Sequence, residues 1–436
     1  MTDGAVPEGA RDKIFAAVDA AFARQVADTI AFCAIPSTRG AEGPCQDMMA
    51  GWLRARGYEV DDWRIDQDDL KDLPGYGPVE SDFSRARTVV GTWRPTQETG
   101  RSLILQGHCD VVPAGPLDMR TRPPFQPVVE GDWLYGRGAG DMKSGTVAAL
   151  YALDAVRAAG LAPRGRVHFQ SVIEEESTGL GALSTLQRGY RADACLIVEP
   201  TDGHVLRAQV GVIWFRLKVR GEPAHAAHAG RGANAIKAVY HLLQALEGLE
   251  TEWNARARAD PYFGAVEHPL NLNPGIIRGG EWASSVPAWC DLDCRIGILP
   301  GWSVAECQRE IEACVAAAAR THPFLAASPP EVVWSGFLSP GYAATGTGAM
   351  EAVLAEAHGA GWGGTLGESV FNGLTDTRFY GLDYGIPAIC YGATADKLHA
   401  FDERVSVESL RKLTRAVALF VAGWCGVEPI RAEFAP

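Results

Sequence analysis

The stretch that decides the fold is TVAALYALDAVRAAGLAPRGRVHFQSVIEEE, residues 146–176. Its first part, residues 146–159, is rich in alanine and leucine at helical spacing and predicts a helix. After a glycine turn, residues 166–173 are rich in β-branched and aromatic side chains and predict a strand. Strands separated by helices are typical of an α/β layer with a largely parallel sheet.

The same alternation continues on both sides of this stretch. Further segments that predict helices are residues 14–32, 51–56, 349–357 and 406–425, and further predicted strands are residues 88–93, 102–105, 195–198 and 386–391. The fold class that we expect is therefore α/β, with a mixed, largely parallel sheet.

The order of elements changes in the middle of the chain. There we predict a strand at residues 210–220, a helix at 234–249, strands at 271–279 and 288–296, a helix at 304–319 and a strand at 331–334. The order βαββαβ is typical of a compact unit with an open sheet. We therefore expect a catalytic domain in two parts, residues 1–208 and 338–436, and an inserted domain at residues 209–337.

Composition excludes several classes of function. The 436 residues carry a formal charge of −13, which disfavours binding to nucleic acid. No run of about 18 apolar residues predicts a membrane span, and the N-terminal residues lack the apolar stretch of a secretion signal. We therefore expect a cytoplasmic protein. The 10 cysteines are scattered and are interpreted as buried, reduced thiols.

Polar residues at predicted strand ends are the most informative feature. His108 and Asp110 are two residues apart at the end of a strand, so both side chains lie on one side of the extended chain. His108 can bind a metal ion while Asp110 orients its ring. Taken alone, the pair also fits a solvated surface loop.

Asp141 lies in GRGAGDMKSG, residues 136–145, between a glycine-rich turn and a helix. A dinucleotide-binding fingerprint requires glycine at position 141, and a phosphate-binding loop requires glycine before Lys143. A carboxylate in this place repels phosphate, so an oxidoreductase or another nucleotide-dependent enzyme is disfavoured. Asp141 can bridge two cations, or it can cap the helix.

Three further segments supply acidic groups and a second histidine. Glu174, Glu175 and Glu176 follow the strand at 166–173, Glu199 follows the strand at 195–198, and His399 lies in KLHAFDERV. Adjacent buried carboxylates need a cation or a proton nearby. The sequence alone leaves open which of Glu175 and Glu176 would bind metal. Two imidazoles and three carboxylates form a set suited to two zinc ions that share an aspartate: His108, Asp141, Glu176, Glu199 and His399.

Five blocks in one order resemble a known family. These blocks are GHCDVVPAG (107–115), YGRGAGDMKSG (135–145), EEESTGLGA (174–182), VEPT (198–201) and GEPAHAAHAGRGANAI (221–236). They are similar to motifs of the dinuclear zinc amidohydrolases that include acetylornithine deacetylase, succinyl-diaminopimelate desuccinylase, aminoacylase and glutamate carboxypeptidase. The resemblance implies a zinc-exopeptidase-like catalytic domain with an inserted lid, or dimerisation, domain.

The resemblance also implies a role for each matching residue. Asp141 would bridge two metal ions, with His108 and Glu199 completing one site and Glu176 and His399 the other. Glu175 would be the general acid and base, and Asp110 would support His108.

The lid residues would contact substrate. His225, rather than His228, would stabilise the oxyanion from the second subunit of a homodimer, and Arg295 would bind a substrate carboxylate. Ser285 stands where many relatives carry asparagine. Arg378 would either contact substrate or pair with Asp376.

The implied function is a metal-dependent hydrolase that removes a small acyl group (acetyl, formyl or succinyl) from an amine or an N-acyl amino acid. Two zinc ions would be the cofactors, with cobalt or manganese as possible substitutes. Neither a nucleic acid nor a membrane is an expected partner. The alternatives are a zinc dipeptidase or carboxypeptidase that uses the same site, and a binding protein that has lost catalysis.

Overall fold

The computed structural model describes residue 6 and residues 8–430 of the chain. Its helices are α1 (Ala10–Cys33), α2 (Gly43–Ala55), α3 (Ser144–Ala158), α4 (Leu180–Gln187), α5 (Ala235–Ala257), α6 (Val304–Thr321), α7 (Gly348–Gly361) and α8 (Val407–Cys425).

The strands follow the chain from the first helix pair to the C-terminal segment. They are β1 (Glu59–Arg64), β2 (Arg87–Trp93), β3 (Leu103–His108), β4 (Val128–Glu130), β5 (Trp133–Tyr135), β6 (Leu161–Pro163), β7 (Val167–Val172), β8 (Cys195–Ile197), β9 (His204–Gln209), β10 (Gly211–Arg220), β11 (Leu272–Gly279), β12 (Trp289–Ile298), β13 (Glu331–Ser339), β14 (Tyr342–Ala343), β15 (Gly367–Phe371), β16 (Ala388–Cys390), β17 (Ala395–Asp396), β18 (Arg404–Ser406) and β19 (Val427–Pro429).

A central sheet carries the candidate site. Its strand order is β1-β2-β7-β3-β8-β16. β7, β3, β8 and β16 run parallel, while β2 runs antiparallel to both β1 and β7. β3 and β7 are buried along their whole length, as expected for parallel strands covered on both faces. The predicted α/β class with a mixed, largely parallel sheet is confirmed.

Helices cover this sheet with small and aliphatic side chains. α3 packs against α1 and α8, and α8 also packs against α7. Most of α3 is buried because its alanine-rich sequence has no polar face. α8 begins at the cap Ser406, whose side chain accepts a hydrogen bond from the Ser409 N–H.

The inserted βαββαβ unit forms a second layer with its own core. Its antiparallel sheet has the order β11-β12-β10-β13, and α5 and α6 pack together beside it. α5 and α6 begin at side-chain caps, Asn234 and Ser303. A separate cluster of buried apolar residues, including Phe215, Trp253 and Phe263, fills this unit. The domain boundaries at residues 209 and 337 stay our proposal.

Several elements differ from the sequence prediction. α5 extends to Ala257 because Trp253 and Ala257 continue the apolar face beyond the predicted end at 249. The prediction missed α4 and the short strands β1, β4, β5, β9 and β15. β15 is half-exposed and pairs with β9 outside the central sheet, so it lacks a buried apolar run.

Two further observations concern membrane-spanning helices and the cysteine thiols. Among the described residues, no helix combines the length and the apolar character that a membrane crossing needs. The cysteines are free thiols, and all except Cys314 are buried.

Candidate active site

Three strand ends bring candidate ligands to one edge of the central sheet. β7, β3 and β8 are parallel neighbours, so their carboxyl ends meet there. His108 is the last residue of β3, the three glutamates at 174–176 follow β7, and Glu199 follows β8. In each case a buried apolar strand ends and a polar residue follows, which places the polar groups at the rim.

Asp141 and His399 reach the same place from loops. Asp141 lies in the turn Ala139–Lys143 that leads into α3, and the peptide bond that follows it is cis. His399 lies between β17 and β18 with a φ of 60°, in the left-handed region. Its side chain is 53% exposed, so this side of the site is open to solvent.

The two carboxylate oxygens of Asp141 face different histidines. Oδ1 lies 3.1 Å from His108 Nε2, and Oδ2 lies 3.5 Å from His399 Nε2. His108 Nε2 is also 3.7 Å from Glu199 Oε1, and His399 Nε2 is 3.0 Å from Glu176 Oε2. Asp141 thus stands between two groups of donors, one around His108 and one around His399.

These donors fit a pair of divalent cations. Ligand atoms about 2.0–2.1 Å from a tetrahedral zinc ion lie about 3.3–3.4 Å from one another. The distances from the Asp141 oxygens to the two histidine nitrogens, 3.1 and 3.5 Å, lie on either side of that value. The donor atoms of His108, Glu175 and Glu199, and those of His108, Asp141 and Glu176, lie within 4.8 Å of one another. Imidazole and carboxylate are also the ligand types that zinc, cobalt and manganese share.

The pKa values of the carboxylates also indicate that this site requires positive charge. Burial and the neighbouring acidic groups raise the pKa of Glu175 and of Glu199 well above the usual value. Burial also opposes the ionisation of Asp141, but hydrogen bonds from His108 and His399 outweigh it and hold the pKa of Asp141 far below its usual range. Cations would compensate this concentration of buried carboxylates.

The three adjacent glutamates have three different environments. Glu174 accepts two hydrogen bonds from Arg39, at 2.6 and 2.8 Å. Glu176 contacts His399. The Glu175 carboxylate accepts no hydrogen bond from any described residue, and its Oε2 lies 3.9 Å from His108 Nε2. Of the three, Glu175 is the carboxylate with no partner that would compete with a substrate or a water molecule.

Asp110 supports the ring of His108 from behind. His108 Nδ1 lies 3.0 Å from the Asp110 carbonyl oxygen and 3.5 Å from its Oδ1. Asp110 Oδ2 accepts a hydrogen bond from the Glu176 N–H at 3.2 Å. Asp110 therefore touches the ligand candidates on both β3 and β7.

The predicted lid residues His225 and Ser285 lie next to each other. They form an isolated antiparallel bridge, and the Ala226 N–H donates to the Ser284 carbonyl at 2.9 Å. His225 Nδ1 accepts a hydrogen bond from the Ala227 N–H at 3.1 Å. Within the described chain, the hydrogen bonds of this exposed histidine stay inside the lid and do not reach the five ligand candidates.

Arg295 lies where the lid sheet meets the catalytic layer. Its guanidinium donates to the carbonyls of Asn271 and Asn372, at 3.3 and 2.9 Å. Burial lowers the pKa of Arg295 to about 10, and no carboxylate of the described residues pairs with it. It lines a cavity of about 360 Å³ together with Arg39 and Trp214. Arg295 is therefore a cation beside this cavity that has no carboxylate partner among the described residues.

Arg378 is fully buried. Nη1 lies 3.5 Å from Asp376 Oδ1 and donates to the Thr375 carbonyl at 2.8 Å, while Nη2 donates to the Thr178 carbonyl at 3.2 Å. Of the two roles left open by the sequence, this geometry favours pairing with Asp376. We propose that role in place of substrate contact.

The sequence prediction missed a buried ion pair between Arg137 and Glu403, beside Asp141 and His399. The sequence positions of both residues, close to ligand candidates, could have indicated this pair. Arg137 is the one charged residue within the glycine turn before Asp141, and Glu403 lies four positions after His399.

Comparisons with known proteins identify relatives of this chain. Over 416 residues the chain is 28% identical to N-formyl-4-amino-5-aminomethyl-2-methylpyrimidine deformylase from Bacillus subtilis (strain 168), covering 89% of this chain and 91% of that protein. It is 27% identical over 398 residues to succinyl-diaminopimelate desuccinylase from Stenotrophomonas maltophilia (strain R551-3), covering 88% and 95% of the two chains.

Solved structures share the fold. A di-peptidase from Saccharomyces cerevisiae superposes with a TM-score of 0.79 at 15% identity, covering 95% of this chain and 98% of that one. A protein from Bacillus subtilis described as a dinuclear metal binding peptidase from M20 family gives a TM-score of 0.56 at 16% identity, covering 93% and 99%.

The family resemblance predicted from the motifs is confirmed. Residues 104–423 match the sequence model of peptidase family M20/M25/M40. This family is metal-dependent. The chain is therefore a hydrolase of amide bonds that belongs to peptidase family M20/M25/M40.

Proposed function

We propose that this chain removes a small acyl group from an amine, with formyl as the first candidate and succinyl and acetyl next. The relatives from Bacillus subtilis and Stenotrophomonas maltophilia, a deformylase and a desuccinylase by name, support this order. The observation that carries the proposal is Asp141 between His108 and His399, with Glu175 beside them and without a hydrogen bond from the described residues.

The metal ions have one defined contribution in this proposal. Two zinc ions, for which cobalt or manganese could substitute, would act as a Lewis acid towards the substrate carbonyl and bring the pKa of water near neutrality. His108 and Glu199 would hold one ion, Glu176 and His399 the other, and Asp141 both.

The side chains of this chain would then move the protons. Glu175 would take a proton from the attacking water and pass it to the nitrogen of the departing amine, which is general base and then general acid catalysis. Its raised pKa suits a group that must both accept and return a proton. Asp110 would keep the His108 ring in place.

The lid would supply the remaining contacts. His225 would donate a hydrogen bond to the carbonyl oxygen as negative charge builds there. Arg295 would bind an anionic group of a small-molecule N-acyl substrate, because it is half-buried and no carboxylate of the described residues pairs with it. Ser285, beside His225, would line the substrate path.

We further propose that the protein is a cytoplasmic homodimer that pairs through the lid. β11 is an edge strand of the lid sheet, with exposed side chains along most of its length, including Ile276 and Ile277. An exposed apolar edge strand is a common site of pairing with a second chain. His225 would then reach the site of the partner subunit.

An assay of purified, zinc-loaded protein tests the reaction. The panel contains N-formyl, N-acetyl and N-succinyl amino acids, an N-formyl aminomethylpyrimidine and a set of dipeptides, and the measurement is kcat/KM for each. We expect kcat/KM to be highest for an N-formyl compound. Turnover confined to dipeptides would replace the proposal with the dipeptidase alternative, and no turnover of any compound would favour a binding protein.

A further inference from the structure

A buried ion pair joins the two loops that carry Asp141 and His399. Arg137 Nη1 lies 2.5 Å from Glu403 Oε2, and both side chains are about 98% buried or more. Neither residue belongs to the proposed ligands or to the proton-transfer chemistry. A buried ion pair contributes little net stability on average, because desolvation offsets the attraction. We therefore consider which parts of the backbone this ion pair holds in place.

Glu403 fixes the backbone of the turn that carries Asp141. Its Oε1 accepts hydrogen bonds from the N–H groups of Gly140 and Asp141, both at 2.9 Å. Its Oε2 accepts a third from the Gly138 N–H at 3.1 Å. Three hydrogen bonds to one carboxylate leave the turn little freedom to rotate the Asp141 side chain.

Close packing reinforces this position. A Cβ atom at Gly140 would lie 2.7 Å from Leu398 Cδ2 and 3.0 Å from Ala395 Cβ. Leu398 directly precedes His399. The turn of Asp141 and the loop of His399 therefore approach each other at a glycine, beside the Glu403 carboxylate.

Arg137 fixes the backbone of the loop that carries His399. Its Nη2 donates to the carbonyl oxygens of His399 and Ala400, both at 3.2 Å. His399 adopts a φ of 60°, which a histidine rarely adopts without external contacts. The two carbonyl contacts supply such support.

We infer that Arg137 and Glu403 are positioning residues that set the distance between Asp141 and His399, and thereby the affinity for the ion held by His399 and Glu176. This inference rests on the proposed metal binding. His108 and Glu199 stand at the ends of strands in the central sheet, so the ion beside them depends less on the pair. Loss of the pair should therefore weaken one of the two sites selectively.

A titration of the chelator-stripped protein with Co²⁺ alone tests this inference. Visible absorbance and calorimetry report the number of ions bound and the affinity of each, without substrate. The variants are Glu403→Gln, which cannot accept all the present hydrogen bonds, and Arg137→Lys, which keeps the charge but loses the fork that reaches both carbonyls.

Control substitutions come from another Arg–Glu pair, which is about one-fifth exposed and in which the arginine also pairs with Glu368. Arg207 donates to Glu351 through both Nη atoms, at 2.7 and 2.8 Å, between β9 and α7. Glu351→Gln and Arg207→Lys repeat the same substitutions away from the ligands. They show what the loss of an ion pair does when no ligand loop is attached.

We expect the wild-type protein and both controls to bind two ions. In Glu403→Gln and Arg137→Lys, one of the two ions should lose about 10–100-fold in affinity, the range for residues that hold metal ligands in place, and the other ion should change by less than about threefold. With saturating Co²⁺, kcat should fall and KM should stay within about threefold, since Arg295 and the lid are untouched.

Other results overturn the inference. Two ions bound as tightly as in the controls would mean that the pair does not position the ligands. An equal loss of both ions would mean that the pair has no selective effect on the ion held by His399 and Glu176. If Glu403→Gln does not fold, Arg137→Lys decides alone. A wild-type protein that binds no Co²⁺ would contradict the proposed function itself.

Discussion

Glu175 differs from its two neighbours by having no hydrogen-bond partner. Glu174 is held by Arg39, and Glu176 contacts His399, so these two carboxylates already have partners. A base must be free to approach the water that it deprotonates. The sequence could not separate Glu175 from Glu176, because adjacent residues of one type differ only in where the folded chain points them.

We expect Glu175→Gln to lower kcat by about 10²–10⁴-fold, the usual contribution of a general base, with two metal ions still bound. Steady-state kinetics and metal analysis on the same sample check this. Glu174→Gln is the control, and we expect it to lower stability through Arg39 while costing less than about tenfold in kcat. Turnover of Glu175→Gln within threefold of wild type would show that another group accepts the proton.

We expect His168 in β7 to make the stability of the protein depend on pH. Burial, helped by Arg166 and Arg94, lowers the pKa of His168 to about 4. The unfolded chain therefore binds more protons than the folded chain between pH of about 4 and 6.5, and the free energy of unfolding rises with pH in this window. The full contribution, about 3 kcal/mol, is present above pH of about 6.5 and is lost as the pH falls to about 4.

Denaturant unfolding between pH 7 and 4.5 measures this contribution. His168→Asn removes the titrating group, and asparagine can still form a hydrogen bond with Thr92, which lies 2.9 Å from His168 Nδ1. We expect the variant to lose less stability on acidification than wild type does. Equal losses in the two proteins would show that His168 does not remain neutral in the fold.

At the scale of elements, a glycine sets how closely α3 approaches the central sheet. A Cβ atom at Gly145 would lie 2.2 Å from the carbonyl oxygen of Val198, directly after β8. We expect Gly145→Ala to lower the free energy of unfolding by about 1–3 kcal/mol, because backbone must shift. The same shift would move Asp141, which lies just before α3, and weaken metal binding.

Gly248 in α5 provides the opposite case. It is exposed, and a Cβ atom there would meet nothing within 4 Å. We expect Gly248→Ala to raise the free energy of unfolding by about 0.4–1 kcal/mol, since alanine restricts the unfolded chain and favours the helix. Denaturant unfolding of both variants checks this. Destabilisation by both would mean that helix distortion, and not close packing, explains Gly145→Ala.

The sequence predicted the elements with strong periodicity and missed those that depend on distant partners. The buried strands β3, β7 and β8, and with them His108, could be predicted from apolar runs that end in polar residues. α4 is a short apolar helix after Gly179, and β9 is only partly buried and pairs with the distant β15, so neither gives a local pattern.

In the candidate site, too, contacts between distant residues could not be predicted from the sequence. Motif spacing indicated four of the five ligand candidates, and the family resemblance chose Glu176 over Glu175. Glu403 and Arg137 were missed because their importance lies in backbone contacts that spacing does not reveal. Arg378 was left open between two roles, because only its burial and its distance to Asp376 favour one of them.

At the scale of the whole molecule, His225 is exposed in the lid and makes its hydrogen bonds there. If it acts in the partner's site, each active site needs two chains. Co-expression of Glu175→Gln with His225→Ala tests this, because a mixed dimer would combine an intact Glu175 with an intact His225 in one of its two sites.

We expect the separate variants to be nearly inactive and the purified mixed dimer to show about half of the wild-type rate per chain, since one of its two sites would be complete. The measurement is kcat per chain after purification with two different tags. Mixed dimers without activity above that of the parents would place His225 in the site of its own chain.

In the proposed function, a pair of cations would lie between the two halves of the catalytic layer, which the lid interrupts. The most direct test is anomalous diffraction from crystals soaked with zinc. We predict two peaks, each about 2.0–2.2 Å from an oxygen of Asp141, one also beside His108 and the other beside His399. A map with no peak within about 4 Å of these side chains, well beyond zinc coordination, would contradict the account.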